Sequence, residues 1–315
     1  MNYIEYNDFR YGYDEKTKEY SIVPKIEVER PSTFWKYYAL SSNSVDALTN
    51  MYVYATHPYQ FNDPFDCNEK MVEFDTWDDI RNLTSGNNEM FEALKQQYPR
   101  LEDACEFCRA AYWNILFRKV GLLSLAPKHD NYLMWALYSG KNGFCVEFDV
   151  RKFPFRNFGP FPMNYTDANP IPVHIGTDGG YLAMLIQTNV KNKWWENEHE
   201  WRMYIENPPG FDMKYFGNEY NMKAFNRGDE HDRKFKYPIE ALQSVILGPK
   251  FFEKIVKNYL NPDEIDVDCN PDNNALEFQV LDFLAKKTEK SNINIKLACL
   301  SDLSHYEFIP ILIIK

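Results

Sequence analysis

Alternating polar side chains in the segment 198–204 constrain the fold of this chain more than any other feature. The segment reads Glu-His-Glu-Trp-Arg-Met-Tyr and predicts a β-strand over residues 198–206. Successive side chains of a strand point to opposite faces, so one face would carry the polar groups of Glu198, Glu200, Arg202 and Tyr204. An unpaired ionised carboxylate inside a sheet core costs several kcal/mol. We therefore expect this face to line solvent or a cleft.

Strand and helix patterns interleave along the rest of the chain, with short connections between them. The expected strands include residues 33–40, 51–55, 121–126, 143–150, 244–247, 293–299 and 306–314. The expected helices include residues 45–50, 103–120, 132–139, 181–195, 251–260 and 280–288. Few connections have the length of a βαβ unit, which favours mixed or antiparallel sheets. The sequence therefore predicts an α+β fold with mixed, largely antiparallel sheets and surrounding helices.

The chain is predicted to consist of an N-terminal arm and one principal domain. Residues 1–30 show no sustained periodicity and form the expected arm, and residues 31–315 form the α+β domain. Within that domain, residues 69–106 hold ten acidic against four basic side chains. They are predicted to be an acidic helical insertion with a solvated surface, and an acidic docking site is the alternative. Ser44 is expected to cap the helix at residues 45–50.

Charge and composition argue against several classes of protein. The formal net charge of −11 argues against nucleic-acid binding by general electrostatics, since neutralising phosphates requires a basic face. No window approaches the roughly 20 apolar residues that span a bilayer, and the N-terminus lacks the pattern of a secretion signal. Six cysteines are too few for a disulfide scaffold in a chain of 315 residues. These observations predict a cytoplasmic protein without membrane association.

Familiar metal-binding and catalytic motifs are missing from the sequence. Cys105 and Cys108 have CxxC spacing, but no second Cys or His pair at ligand spacing accompanies them. Both lie on or beside the apolar stripe of the predicted helix at residues 103–120, which favours core thiols, and no metal ligand is assigned. The P-loop, GxGxxG, HExxH and GxSxG motifs are absent. Kinase, Rossmann oxidoreductase, zincin and α/β-hydrolase functions therefore lose their main support.

Four clusters of residues are candidates for a functional site. They are Lys36 with Tyr37 and Tyr38; Asn62, Asp63 and Pro64; Trp135 and Tyr138 following Ser124; and Glu198, Glu200, Arg202 and Tyr204. Trp135 and Tyr138 lie three apart on a short apolar helix, which favours core packing over cofactor stacking. Asn62 and Asp63 before a proline favour a loop-organising turn over a catalytic role. Glu200 and Arg202 either form a structural ion pair or reach separate partners.

An ordered set of motifs carries a resemblance to a known family. The motifs WKYYAL, FNDPFD, LLSLA, LMWALYS, GFCVEFD, W-x3-E-x-EWR and VILGP occur in this order over most of residues 33–310. In this respect the chain resembles the bacterial family known as domain of unknown function 2971, whose members look like defence-associated or accessory proteins. The resemblance implies a setting in bacterial defence and little settled biochemistry.

A looser resemblance, to mono-ADP-ribosyltransferases, implies more chemistry. It rests on a first strand with a polar residue, a helix, a second strand and a late strand with E-x-E. The resemblance implies an ADP-ribosyltransferase-like fold in which Glu200 bonds the ribose next to nicotinamide and stabilises an oxocarbenium-like transition state, while Glu198 orients the acceptor. It implies NAD-binding roles for Lys36, Tyr38, Asn62, Asp63, Ser124, Trp135, Tyr138 and Arg202. Lys36 stands where that family has Arg or His.

The leading functional hypothesis is an enzyme that cleaves NAD and transfers ADP-ribose to a macromolecule or to water. A nucleotide and a macromolecular acceptor are then the expected partners. The first alternative is a noncatalytic ligand-sensing or protein-interaction module, since aromatic residues make up 17% of the chain and the Arg or His is missing. The second is a metal-dependent nuclease, in which at least two carboxylates must reach one divalent ion. Its candidate ligands are Asp63, Asp66, Glu147 and Glu200.

Overall fold

The computed structural model describes residues 2–14, 16–17, 19–84, 86–166, 171–175, 180–206, 233–251, 275–288, 291–300 and 306–310. The described strands are β1 (Asn2–Tyr6), β2 (Phe9–Asp14), β3 (Glu19–Pro24), β4 (Phe34–Tyr38), β5 (Tyr52–Tyr54), β6 (Val72–Glu73), β7 (Val120–Leu125), β8 (Phe144–Phe148), β9 (Asn157–Pro162), β10 (Asn164–Thr166), β11 (Val173–His174), β12 (Val190–Asn192), β13 (Trp201–Glu206), β14 (Lys234–Lys236), β15 (Leu242–Leu247), β16 (Asn294–Leu300) and β17 (Tyr306–Pro310). The described α-helices are α1 (Ser42–Thr49), α2 (Trp77–Leu83), α3 (Asn88–Gln97), α4 (Leu101–Lys119), α5 (Tyr132–Met134), α6 (Tyr181–Asn189) and α7 (Leu276–Thr288), and a π-helix, Trp135–Ser139, continues α5.

The described elements confirm the predicted α+β class. Helices accompany several sheets in which most strand pairs are antiparallel. Parallel pairing occurs between β15 and β16, between β10 and β12, and between β6 and β11. The predicted helix at residues 251–260 lies outside the described residues beyond Phe251, as does the end of the last predicted strand, residues 311–314. Within the described ranges, no helix combines the length and apolarity needed to cross a membrane.

The structure divides the chain into two compact units, whereas the sequence predicts one domain over residues 31–315. Unit 1 comprises Met1–Glu29, Ala55–Leu123 and Arg156–Lys234. Unit 2 comprises Arg30–Tyr54, Ser124–Phe155 and Phe235–Lys315. Each unit is assembled from three separate stretches of chain. Hydrophobic periodicity is a local signal and does not reveal which distant stretches pack together.

Unit 2 is built on a five-stranded sheet with the order β17-β16-β15-β8-β4. The inner strand β8 buries Phe144, Cys145, Val146 and Phe148. Such a nearly continuous apolar run is expected where both faces of a strand are covered. A cluster of buried side chains that includes Trp35, Tyr37, Trp135 and Ile246 packs around Cys145.

Helix α6 of unit 1 is buried from its second residue to its last. Residues 182–189 are at most 3% exposed, and the run 182–186 is entirely apolar, as expected for a buried helix. The helix ends at Asn189, so the prediction of a helix over residues 181–195 was wrong at its C-terminal end. The chain instead forms β12, which pairs in parallel with β10, and then a 3-10 segment, Lys193–Glu198. A strand partner distant in sequence overrides the local helical pattern here.

The predicted N-terminal arm is instead a three-stranded antiparallel sheet, β1-β2-β3, within unit 1. Tyr11 at its centre is fully buried, and its hydroxyl donates to Asn189 Oδ1 at 2.9 Å. The same hydroxyl accepts from Asn164 Nδ2 at 3.0 Å. The alternation of buried and exposed residues in these strands is hard to recognise in the sequence, because tyrosines occupy exposed positions, such as Tyr3, as well as buried ones.

The acidic segment 69–106 is largely helical, with α2, α3 and the start of α4 in unit 1. Ile80 and Phe91 of these helices join the unit 1 core. Cys105 and Cys108 are buried on α4, which agrees with the prediction of core thiols. The identification of this segment as an insertion stays a prediction.

Helix α1 begins after Ser41, so the prediction that Ser44 is the cap was wrong. Ser41 Oγ accepts the backbone N–H of Ser44 at 3.2 Å, and Ser44 Oγ accepts the N–H of Ser41 at 3.0 Å. This reciprocal pair is a capping box. The local sequence Ser-Ser-Asn-Ser at residues 41–44 offers several capping side chains, so the sequence alone does not identify which of them is the cap.

Replacing Ser41 with alanine is expected to lower the free energy of unfolding by about 1 kcal/mol, because the backbone N–H of Ser44 at the helix start loses the side-chain oxygen that accepts it. Urea denaturation followed by far-UV circular dichroism measures the change. Ser42→Ala, at an exposed position in the first turn, is the matched control and should stay within about 0.5 kcal/mol. Equal effects of the two substitutions would contradict the assignment of the cap.

Candidate functional site

The polar segment that the sequence singled out lies inside unit 1 and does not form one strand face. Strand β13 begins at Trp201, after Glu198 has ended the 3-10 segment. His199 between the two glutamates has a left-handed backbone, φ 49°. The predicted strand over residues 198–206 was therefore wrong at its start. Glu198 and Glu200 converge through this turn of the backbone and not through strand alternation.

The expectation that these side chains line solvent or a cleft was also wrong, because all of them are buried. Arg202 and Tyr204 have no exposed surface, and Glu198 and Glu200 are 2% and 5% exposed. Burial of charge is tolerated only where opposite charges and hydrogen bonds compensate for the lost water. The partners come from other parts of unit 1, chiefly Asp66 and Lys191. We call Asp66, Lys191, Glu198, Glu200 and Arg202 the charge cluster.

Arg202 is the central cation of the charge cluster. Its two terminal nitrogens bind the Asp66 carboxylate in a bidentate pair, with Nη1 at 2.9 Å from Oδ1 and Nη2 at 2.8 Å from Oδ2. Its Nε and Nη2 donate to Glu200 Oε1 at 3.0 and 2.9 Å. Nη1 also donates to the backbone oxygen of Thr188 at 2.6 Å. The planar guanidinium fork suits this arrangement, in which one cation satisfies two carboxylates and a carbonyl.

The bond to Thr188 explains why the cluster forms at the end of helix α6. The last carbonyl oxygens of a helix have no partner within the helix, and cations are favoured at that end. Arg202 supplies both a donor and a positive charge there. The hydroxyls of Thr188 and Tyr204 are also within hydrogen-bond distance, 2.9 Å. The C-terminal end of the buried helix and the start of β13 are thus joined by polar contacts.

Lys191 of β12 bridges the two glutamates of the E-x-E motif. Its Nζ donates to Glu198 Oε2 at 2.6 Å and to Glu200 Oε2 at 3.0 Å, and it lies 4.0 Å from Asp66 Oδ2. Nζ also lies 5.1 Å from the centre of the Trp195 ring, within the range of a cation–π contact. Both carboxylate oxygens of Glu200 are therefore held by cations, one by Lys191 and the other by Arg202.

Electrostatics keep both cations charged. Burial alone would lower the pKa of Lys191, but the carboxylates of Glu200, Asp66 and Glu198 outweigh it and raise that pKa above its ordinary value. For Arg202 the carboxylates of Asp66 and Glu200 likewise outweigh burial and raise the pKa. Both side chains thus stay protonated at physiological pH.

Two neutral neighbours of the cluster are held in their protonated forms. Burial and then the nearby Glu200 carboxylate raise the pKa of Tyr165, whose hydroxyl accepts the backbone N–H of Glu200 at 2.9 Å. Burial and then Asp66 raise the pKa of the Cys67 thiol well above its usual range. The thiol donates to Asp66 Oδ1 at 3.2 Å and is therefore a hydrogen-bond donor, not a nucleophile.

The Asn-Asp-Pro motif forms the turn that delivers Asp66 to the cluster. Asp63 Oδ1 accepts the N–H of Phe65 at 2.9 Å, as in an Asx turn, and the backbone oxygen of Asp63 accepts the N–H of Asp66 at 3.1 Å. Asp63 is buried, whereas Asn62 is exposed. The ring of Phe61 lies 4.8 Å from Arg202 Cζ. The predicted loop-organising turn is thus present, and it positions a cluster residue.

The remaining predicted NAD-binding residues belong to unit 2. Lys36 Nζ donates to the backbone oxygen of Ser124 at 3.2 Å and lies 5.6 Å from the centre of the Tyr38 ring. Trp135 is 1% exposed and donates from Nε1 to the backbone oxygen of His129. Tyr138 packs against the same core cluster. The structure therefore shows Trp135 packed in a core, as its position on a short apolar helix favoured.

The carboxylates of the nuclease hypothesis are divided between the units. Glu147 belongs to unit 2, where it accepts a hydrogen bond from Thr33 Oγ1 at 2.6 Å. In unit 1, Asp66 and Glu200 converge, but on Arg202 Nη2, so a guanidinium occupies the position between them. This donor set does not fit a divalent ion within the part of unit 1 that the structure describes.

Sequence reasoning missed Lys191 and did not connect Asp66 with Arg202. The available signal was Lys191 itself, two residues after α6 ends and the first charged residue after the uncharged stretch 179–190. A lone charge in a buried segment requires a buried partner of opposite sign. Asp66 lies 136 residues from Arg202 along the chain, so no local spacing pairs them.

Comparison of the chain with protein-family models, with curated proteins and with solved structures finds no match.

Proposed function

We propose that the protein is an ADP-ribosyltransferase-like enzyme that cleaves NAD between nicotinamide and ribose and passes ADP-ribose to a macromolecule or to water. The observation that carries the proposal is the convergence of Glu198 and Glu200 on one ammonium group, that of Lys191. A fixed carboxylate pair with E-x-E spacing is what the resemblance to mono-ADP-ribosyltransferases implies. The proposed nucleotide and acceptor partners, the fold likeness and a role in bacterial defence rest on the resemblances alone.

The chemistry gives Glu200 a definite task. When the glycosidic bond breaks, its electron pair leaves with the ring nitrogen of nicotinamide, which departs as a neutral molecule. Positive charge develops at the ribose carbon until an acceptor oxygen forms the new bond and releases its proton. A carboxylate fixed beside that carbon stabilises the charge more strongly in a water-poor site than in water. Lys191 and Arg202 hold Glu200 in one position, so it would not need to reorient as the charge develops.

Glu198 is proposed to orient the acceptor. It shares the ammonium of Lys191 with Glu200, so the two carboxylates are held beside each other. Because both carboxylates bind Lys191, the acceptor would be held at a fixed position relative to Glu200, the carboxylate that stabilises the ribose cation. Among the residues to which the resemblance assigns NAD contacts, Asn62, Asp63 and Arg202 belong to the same unit as these carboxylates, and their contacts are part of the same proposal.

Replacing Glu200 with glutamine is expected to reduce nicotinamide release from NAD by about 100-fold or more, because it removes the charge that stabilises the transition state. Glutamine keeps the volume and can still accept a bond from Arg202. The measurement combines calorimetric titration of the full chain with NAD and a chromatographic assay for nicotinamide. We expect the wild-type protein to bind NAD saturably, and we expect only the wild-type protein to release nicotinamide.

The matched control is Glu196→Gln, which removes an exposed carboxylate from the nearby 3-10 segment Lys193–Glu198 without touching the charge cluster. It should release nicotinamide at the wild-type rate. The melting temperature of each variant separates loss of the carboxylate from loss of the fold. The proposal would be contradicted if a folded Glu200→Gln variant released nicotinamide at the wild-type rate. It would also be contradicted if the wild-type protein did not bind NAD at millimolar concentration.

A noncatalytic ligand-sensing or protein-interaction module is the second candidate. It is favoured by the burial of Glu198 and Glu200 and by the cations that already bind them. In this case the charge cluster would stabilise unit 1 and leave recognition to other surfaces. Absence of NAD binding together with a large loss of stability in Glu200→Gln would favour this candidate.

A further inference from the structure

A second group of polar side chains lies in unit 1, away from the residues of the charge cluster. The short strands β6 and β11 pair in parallel, which sets His174 directly opposite Glu73. Asp75 follows β6 after one residue, and Asp79 lies in the first turn of α2. Strand pairing and helix start thus bring one imidazole together with three carboxylates.

The two imidazole nitrogens of His174 both face carboxylate oxygens. Nδ1 lies 3.4 Å from Asp79 Oδ1 and 3.5 Å from Asp75 Oδ1, and Nε2 lies 3.7 Å from Glu73 Oε2. These separations exceed the roughly 2.7–3.2 Å of N–H···O hydrogen bonds. Two atoms that each lie about 2.0–2.2 Å from a tetrahedral ion are roughly 3.4 Å apart. The distances from Nδ1 to Asp79 Oδ1 and to Asp75 Oδ1 are thus compatible with ligands around one metal ion.

Asp79 provides a fixed and buried carboxylate in this group. It is 4% exposed, and its Oδ2 accepts from Thr76 Oγ1 at 2.6 Å, Thr76 N at 2.9 Å and Asp75 N at 3.2 Å. The capping box thus occupies one oxygen and leaves Oδ1 facing His174.

The group is strongly acidic. Within the described residues, no lysine or arginine forms an ion pair with Glu73, Asp75 or Asp79, although His174 lies near all three. The negative potential extends to Cys105, where burial and then the Asp79 carboxylate raise the pKa of the thiol. His174, Asp75 and Glu73 each keep about half of their side-chain surface exposed, so an ion can enter from solvent.

We propose that His174, Asp75 and Glu73, with Asp79 behind them, bind a divalent transition-metal ion. Ligand atoms of His174, Asp75 and Glu73 all lie within 4.8 Å of one another. Imidazole with carboxylates suits Zn²⁺ or Mn²⁺ better than Mg²⁺ or Ca²⁺, which prefer oxygen ligands alone. The ion would join β6, β11 and the start of α2. This site is independent of the proposed NAD chemistry, because it shares no residue with the charge cluster.

The test uses the full chain, stripped of metal by a chelator, and titrates it with ZnCl₂ by calorimetry and with CoCl₂ by visible absorption. Saturable binding of one ion with the visible bands of tetrahedral Co²⁺ is the expected result. His174→Ala and Asp75→Asn should each weaken binding at least about 10-fold. Both positions are exposed, so these variants are expected to fold, which circular dichroism verifies.

The matched control is His199→Asn, which removes an exposed imidazole outside the group at a left-handed position that asparagine tolerates. Its zinc affinity should equal that of wild type. Zinc binding weaker than millimolar, or unchanged affinity in His174→Ala, would overturn the proposal. Binding of Mg²⁺ as tight as that of Zn²⁺ would also overturn it, since the imidazole would then have no part.

Discussion

Replacing Arg202 with methionine is expected to lower the free energy of unfolding of unit 1 by about 3–5 kcal/mol. The substitution leaves Asp66 and Glu200 buried and ionised, with only Lys191 to compensate. It also removes the donor that satisfies the Thr188 carbonyl at the end of helix α6. A buried carboxylate without a partner destabilises the fold by more than the ion pair with Arg202 stabilises it, because water cannot reach the carboxylate. Urea denaturation followed by circular dichroism measures the loss.

Two further variants make this prediction specific. Arg202→Lys keeps the positive charge but loses the bidentate fork, so an intermediate loss is expected. Arg100→Met removes an exposed arginine that pairs with Asp103 at 3.6 Å, and it should change stability by less than about 0.5 kcal/mol. If Arg202→Met were as stable as Arg100→Met, the charge cluster would not be a buried ionic network.

Replacing Trp135 with alanine is expected to lower the free energy of unfolding of unit 2 by about 3–5 kcal/mol. The indole is fully enclosed, meets the Tyr37 ring edge-on with centres 5.4 Å apart, and donates to the backbone oxygen of His129 at 2.8 Å. Its removal creates a cavity and leaves that carbonyl without its donor. Denaturation is followed by circular dichroism, since the fluorescence signal itself changes.

Trp194→Ala is the matched control, because Trp194 is 89% exposed. It should be nearly neutral. The comparison also separates the two interpretations of Trp135. If Trp135→Ala kept full stability and lost affinity for NAD, the indole would be a stacking surface for a cofactor and not part of the core.

Most elements of the fold could be predicted because they depend on local spacing. The strand at residues 143–150 and the helix at residues 103–120 correspond to β8 and α4 within a few residues. The apolar run of β8 and the helical apolar stripe at the start of α4 are both local patterns that the sequence shows directly. The α+β class follows from the same local signals.

Other elements could not be predicted, because distant contacts outweigh local preference. Helix α6 stops at Asn189 since the next residues pair with β10, although the pattern continues to residue 195. Strands β1, β2 and β3 belong to unit 1, where Tyr11 bonds Asn164 and Asn189, both more than 150 residues away. The pairing of stretches into two units is likewise a property of contacts between distant residues.

For the candidate site, the sequence by itself determined which charged groups are close along the chain, namely Glu198, Glu200 and Arg202. It also determined that their spacing is unusual for an ordinary core. Only the tertiary structure decided that they are buried, and that Asp66 and Lys191 are their partners. The physical reason is that the sequence around a charged residue is the same whether water or a buried opposite charge stabilises that residue. The environment that distinguishes these cases is built from residues far away along the chain.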